Sequence, residues 1–363
     1  MKVHLVLLVI LLLLNIIPEK RIDRKKYILP FSFLIILIYW AIRYDYGLDY
    51  WNYYNAFYMG SLNDYSIVKE RLFYLFFYSF NSYYQLIIAE SAIMVITLFY
   101  FVRKYIPTNY YWLFFFLLFT VPGFHFNLIS TQRSNMAACL LFWAYEIFFI
   151  SKKRWVLLIL AVFVAVQFHN SAVSFIILPL VYWAFNHMRG FAILITLFVC
   201  DILSMFLTTI MFNWFIMQGG GFLSDYDIYS ELNVTSNIYG FIMKSVILLP
   251  TYYMCKIYDR FKDNNIYKSI FILAFLFIMI NMLGLNFNGR FTVYLYLFFI
   301  IALSLTAMHL TKQERLIMLV PYFITVVYGL VGFYDSMLAG INGRYSAGNP
   351  YFYSTIFDAP SLP

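Results

Sequence analysis

Twelve apolar runs divide this chain, near residues 3 to 17, 27 to 42, 84 to 102, 110 to 129, 134 to 150, 155 to 168, 171 to 185, 191 to 217, 238 to 257, 269 to 287, 291 to 308 and 316 to 333. A helix needs about 20 apolar residues to cross the hydrocarbon core, and only helices and closed barrels satisfy their backbone there. The spacing therefore predicts an all-α, polytopic integral membrane protein of about 12 spans in a single domain, residues 1–363. Composition agrees, since 63% of the residues are hydrophobic and only 12% are charged. No soluble core of this size requires that balance. The first run lacks a small-residue cleavage site and its basic cluster follows it, so it reads as a retained span rather than a secretory signal. Cys139, Cys200 and Cys255 lie inside apolar runs without metal-ligand spacing, and are expected to pack.

The loops test this division, because Lys and Arg concentrate on the cytoplasmic side. The cations cluster at Lys20 to Lys26, Arg103 and Lys104, Lys152 to Arg154, Arg189, Lys256 to Lys268, and Lys312 and Arg315, each after an odd-numbered run. The formal charge of +8 thus reports topology rather than affinity for nucleic acid. Both termini are then expected outside, with long periplasmic loops at about 43–83 and 218–237 and a tail at 334–363. Most carboxylates fall there too, including Asp45, Asp49, Glu70, Asp225 and Asp335. The stretch from Lys69 to Tyr78 begins basic and continues aromatic, which suits a helix lying in the interface.

Arg43, Arg133 and Arg290 stand at outer ends of spans, where topology gives no reason to keep a cation. Guanidiniums gathered near one surface can hold a diphosphate through charge-assisted, bidentate hydrogen bonds. Snorkelling, or pairing with acids such as Asp45 or Glu90, is the plainer use of any one of them. His169 sits at the tight outer junction between runs six and seven, and His125 follows the helix-breaking Pro122-Gly123. An imidazole there can donate to a phosphate, shuttle a proton or bind a sugar. Asp45, Asp49 and Glu70 can take a proton from an attacking hydroxyl, or be solvated loop acids. Tyr44, Tyr46, Tyr50, Tyr53 and Tyr54 offer ring faces and hydroxyls to sugars, against the alternative of an aromatic belt. Within the runs, Glu90, Asp201 and Lys244 must face the protein interior or a wet cavity, and the plain use of Glu146 is an interfacial pair with nearby Lys152 to Arg154. No His-rich or paired-acid spacing demands a metal.

These residues carry a family resemblance. Gly47-Leu48-Asp49-Tyr50-Trp51-Asn52-Tyr53 followed by Phe57, Glu70 with Phe73, Arg133 leading into Ala137, His169-Asn170-Ser171-Ala172, and Arg290 with Tyr294 resemble in order and spacing the pattern of EpsG and Wzy-like polysaccharide polymerases, over about residues 43 to 296. Where that family commonly has Arg-Gln, this chain has Arg133-Ser134, with Gln132 on the other side. The resemblance implies a GT-C-like glycosyltransferase architecture in a bacterial inner membrane. It further implies transfer of a glycan from undecaprenyl diphosphate to the non-reducing end of another lipid-linked repeat unit, on the periplasmic face. No metal or cofactor is implied. The expected partners are the lipid-linked donor and acceptor, membrane lipid and a chain-length regulator protein, without nucleic acid.

Taken with the residue chemistry, Arg133, His169, Arg290, Asp49 and Glu70 are expected in catalytic roles. Arg43, Asp45, Tyr50, Tyr53, His125, Gln132, Asn170, Ser171 and Tyr294 are expected to bind substrate. A lipid-linked oligosaccharide flippase would instead gather polar residues near the midplane and show related halves, for which Asp201 and Lys244 are the best evidence. An O-antigen ligase would work on the same outer face.

Overall fold

The apolar runs fold as helices in the computed structural model, which describes residues 2–18, 22–44, 50–59, 70–120, 125, 128, 131–150, 155–203, 247–261, 264–283, 292–341 and 354–355. In chain order the α-helices are α1 (Lys2–Ile16), α2 (Leu29–Ala41), α3 (Tyr50–Met59), α4 (Arg71–Phe77), α5 (Tyr83–Tyr105), α6 (Tyr111–Thr120), α7 (Gln132–Ile150) and α8 (Trp155–Val166). They continue with α9 (Leu178–His187), α10 (Gly190–Leu203), α11 (Leu248–Tyr258), α12 (Asn265–Met282), α13 (Tyr296–His309) and α14 (Lys312–Ile341). Local chemistry sets several starts. Ser82 accepts a hydrogen bond from the Gln85 N–H at α5, and Asn264 does the same for Tyr267 at α12. Pro30 and Pro179 occupy the first turns of α2 and α9, where a missing N–H costs nothing.

The seventh run departs from a simple span. Residues Asn170–Ile177 form a 3-10 segment before α9. Pro179 has no N–H to offer the Phe175 carbonyl, and Leu178 bonds it instead, which keeps the tighter winding up to the start of α9. The last run also differs, because α14 continues through Ile341 rather than ending near 333.

Burial is arranged inside out. Every residue from 293 to 307 and from 270 to 278 is buried, so α13 and α12 form the centre of the bundle. A helix apolar on all sides has to be enclosed in this way. The outer helices meanwhile expose large apolar side chains, among them Val6, Leu13, Ile96, Val156, Phe163, Leu180 and Phe191. Such a surface needs an apolar solvent. By length and composition α5 and α12 can each cross a membrane, and α1, α8, α10 and α13 contain shorter apolar stretches. α5 packs against both α2 and α7, α7 against α8, and α12 against α13.

Polar contacts segregate to two ends. At one end Arg24 bonds Asn109, Lys104 pairs with Glu146, the Gly190 N–H bonds Asp259, Lys256 pairs with Glu314 and Lys268 bonds the Asn186 carbonyl. All of these residues belong to the face expected to be cytoplasmic. Among the described residues Glu146 pairs with Lys104 and accepts from Tyr100 and Tyr105, since α5 packs directly on α7, while Lys152 to Arg154, its expected partners, lie outside the described residues. At the opposite end lie α3, α4 and a two-residue antiparallel pairing of Arg43–Tyr44 (β1) with Ser354–Thr355 (β2). A second, smaller aromatic core gathers there around Tyr50, Tyr53, Phe73, Phe77 and Tyr83.

Candidate active site

Helix α4 begins at Glu70, whose carbonyl accepts from the Tyr74 N–H at 3.0 Å. Phe73 and Phe77 are buried and pack on the Tyr53 ring, with centroids 5.9 and 6.1 Å away. The Phe73 N–H also donates to the Gln167 carbonyl at 3.2 Å, tying α4 to the turn after α8. This packing drives the Glu70 carboxylate inward, where it is 1% exposed.

Three elements meet on that carboxylate. Its Oε1 takes the His169 Nδ1 at 3.0 Å and the Asn170 backbone N–H at 2.9 Å. Its Oε2 accepts from Arg133 Nη1 at 3.0 Å. The Arg133 Nε in turn donates to the Tyr53 hydroxyl at 2.9 Å. The cluster is not sealed, because the Arg133 side chain keeps 22% exposure and His169 11%. Burial pushes the Glu70 carboxyl up, yet the His169 hydrogen bond, the Arg133 and His169 charges and the Asn170 N–H together hold it below the usual carboxylate range. An ionised carboxylate only accepts, so His169 donates through Nδ1 and its Nε2 carries the lone pair when the ring is neutral.

The neighbouring residues extend this cluster. Gln132, one position before Arg133, turns the other way and donates through Nε2 to the Tyr83 hydroxyl at 3.0 Å, which donates to the Tyr50 carbonyl at 3.4 Å. Ser171 shares a 2.9 Å hydrogen bond with Tyr294, whose buried ring lies edge-on to Phe175 with centroids 5.0 Å apart. Asn170 contributes its backbone N–H, a role that side-chain chemistry does not signal. Tyr83 was not singled out in the sequence. The signal for it was its place one and two turns before Ile87 and Glu90, on the same face of α5.

Arg43 forms a separate buried cluster. Its Nη2 meets Glu90 at 3.0 Å, and its Nη1 donates to Ser91 Oγ and the Trp40 carbonyl, both at 3.1 Å. The side chains of Arg43 and Glu90 are 2% and 1% exposed, so Arg43 is an internally neutralised cation. His125 is buried against His4, Trp40 and Phe119, apart from the residues around Glu70. Asp45, Asp49, Lys244 and Arg290 lie outside the described residues.

A mostly helical chain whose outer helices expose apolar side chains, and which buries the Arg43–Glu90 and Arg133–Glu70 pairs, is an integral membrane protein with enclosed polar clusters. The sequence model of the EpsG family matches residues 26–351, and the chain belongs to that family. Membership points to polysaccharide polymerisation in general. No curated protein and no solved structure matches the chain.

Proposed function

We propose that this protein is a polysaccharide repeat-unit polymerase of the bacterial inner membrane. In this reading about 12 spans of GT-C-like architecture place both termini and the Glu70 site on the periplasmic side. It transfers a glycan from undecaprenyl diphosphate to the non-reducing end of a second lipid-linked repeat unit. The observation that carries this reading is the Glu70 carboxylate holding Arg133 and His169 in one partly exposed cluster.

A lipid diphosphate is already an activated leaving group, so the protein has to orient the acceptor and receive departing charge. The acceptor oxygen attacks the anomeric carbon, the bond from that carbon to the phosphate oxygen breaks, and the electron pair leaves on the diphosphate. Arg133 accepts that charge, joined by Arg290, which precedes the Thr292–Tyr294 turn bonded to Ser171. His169 Nε2 takes the acceptor proton, and Glu70 stabilises the resulting imidazolium through Nδ1. Glu70 is thus a positioning residue. Both of its oxygens are already occupied, which passes the base role to His169. Arg43, neutralised by Glu90 in its own buried cluster, is left out of the diphosphate-binding set.

The test is Arg133→Ala at equal membrane level, with the cell's surface polysaccharide resolved by length on a gel. Loss of long chains and accumulation of single lipid-linked units are expected. Wild-type chain lengths would end this assignment. In the same cells a flippase would leave its units on the cytoplasmic side, and a ligase would spare polymer length while blocking attachment.

A further inference from the structure

Two helices start at the site and carry tyrosines away from it at one-turn intervals. On α3, Tyr50, Tyr54 and Tyr58 form a file, with ring centroids 6.1 Å apart and stacked for the first pair, and 4.8 Å apart for the second. On α4, Tyr74 follows Glu70 by one turn and Tyr78 follows Tyr74, with centroids 4.8 Å apart. Phe57 bridges the files, stacking on Tyr78 at 6.2 Å and lying edge-on to Tyr58 at 5.2 Å. The α3 file begins buried and ends in the open, and both tyrosines of the α4 file are exposed. Tyr50 is 3% exposed, whereas Tyr58, Tyr74 and Tyr78 are 49%, 43% and 37% exposed.

The chemistry of this strip selects its occupant. Hydroxyls along the strip are polar on a ring surface: the Tyr78 hydroxyl donates to the Ala56 carbonyl and the Tyr58 hydroxyl accepts from the Tyr83 N–H, both at 3.4 Å. Asn52 and Asn55 add exposed amides on α3. The only cation within α3 and α4 is Arg71, at the end of the strip nearest the site. Flat rings beside neutral donors and acceptors suit a neutral polyol that stacks its C–H faces and hydrogen-bonds its hydroxyls. An anionic headgroup would call for cations along the strip.

We propose that the strip formed by Tyr54, Tyr58, Tyr74 and Tyr78 is an extended glycan-binding subsite that holds the growing chain as it leads away from Glu70 and Arg133. This rests on the polymerase reading. It adds that affinity for the sugar chain, and hence the length reached before release, is set outside the reacting centre.

The experiment uses the full chain in its native membranes, supplied with the cell's own lipid-linked repeat units, with polymer length read on a gel at equal protein level. Tyr58→Ala combined with Tyr74→Ala is expected still to make polymer, with its modal length reduced about 3- to 10-fold. Tyr58→Trp, which keeps a ring, is expected to retain wild-type length. If the double variant is lost from the membrane, Tyr58→Ala alone is read in the same way, because that ring is already half exposed. A wild-type length distribution in the alanine variants overturns the subsite, and the exposed rings are then lipid-interface anchors. Arg133→Ala run in parallel separates the two claims. Polymer persisting there removes the polymerase reading itself, whereas its loss beside unchanged lengths in the tyrosine variants removes only the subsite.

Discussion

Glu70 and His169 stand 99 positions apart in the chain and meet through a 3.0 Å contact between Oε1 and Nδ1. Glu70→Gln keeps the shape of the group but removes the charge that Arg133 pairs with and that an imidazolium would need. The rate of polymer formation is expected to fall about 100- to 10,000-fold, measured in membranes at matched protein level. Near-normal turnover would show that His169 does not depend on this carboxylate.

The same group sets an acid limit on stability. Its native pKa is lowered from the ordinary glutamate value, so the folded state binds the proton less readily than the unfolded chain. The stabilisation is fully present above the ordinary value and is lost as pH falls through the native one. Unfolding temperature of the purified protein is expected to drop on the acid side, and Glu70→Gln to show a smaller drop. An identical acid slope in both proteins would contradict the ion-pair reading.

Arg43 and Glu90 test a different kind of pairing. Both are buried, so Glu90→Leu leaves an uncompensated guanidinium and is expected to destabilise by about 3–5 kcal/mol. Arg43→Met combined with Glu90→Leu is expected to recover most of that loss, as read by thermal unfolding in detergent. A double-variant loss equal to the sum of the losses in Glu90→Leu and Arg43→Met alone would show that the two groups are not coupled.

At the opposite face, Gly190 allows two backbones to touch. A Cβ placed on it would lie 2.2 Å from the Cys255 carbonyl oxygen, against main chain that cannot rotate aside. Gly190→Ala is expected to cost about 1–3 kcal/mol or more and to lower the amount of folded protein, without changing turnover per folded molecule. Unchanged unfolding temperature would mean that α10 and α11 separate at little cost.

Much of this was legible in the sequence, because apolar periodicity and alternating basic loops report directly on helices and on the ends they share. Contacts such as Lys256 with Glu314 join residues assigned to one face from charge alone. Glu70, Arg133 and His169 were legible as chemistry at one outer surface, and the family pattern linked them. Their mutual geometry was not legible, since it depends on α4 folding back onto the turn after α8 through the Phe73 N–H. Arg43 shows the same limit from the other side. An arginine at a helix end looks alike whether it faces a ligand or a buried acid, and only packing distinguishes the two. The roles of Tyr83 and of the Asn170 backbone N–H were hidden for a related reason, because hydrogen bonds between distant elements leave no local pattern.

The most direct measurement is release of lipid diphosphate by purified protein in liposomes given synthetic lipid-linked repeat units, counted together with the glycosidic bonds formed. The wild-type protein is expected to release one lipid diphosphate for each new bond, and both Arg133→Ala and Glu70→Gln to slow that release at least about 100-fold. Release at the wild-type rate in both variants would contradict the claim that the carboxylate-bridged cluster is where the lipid diphosphate departs.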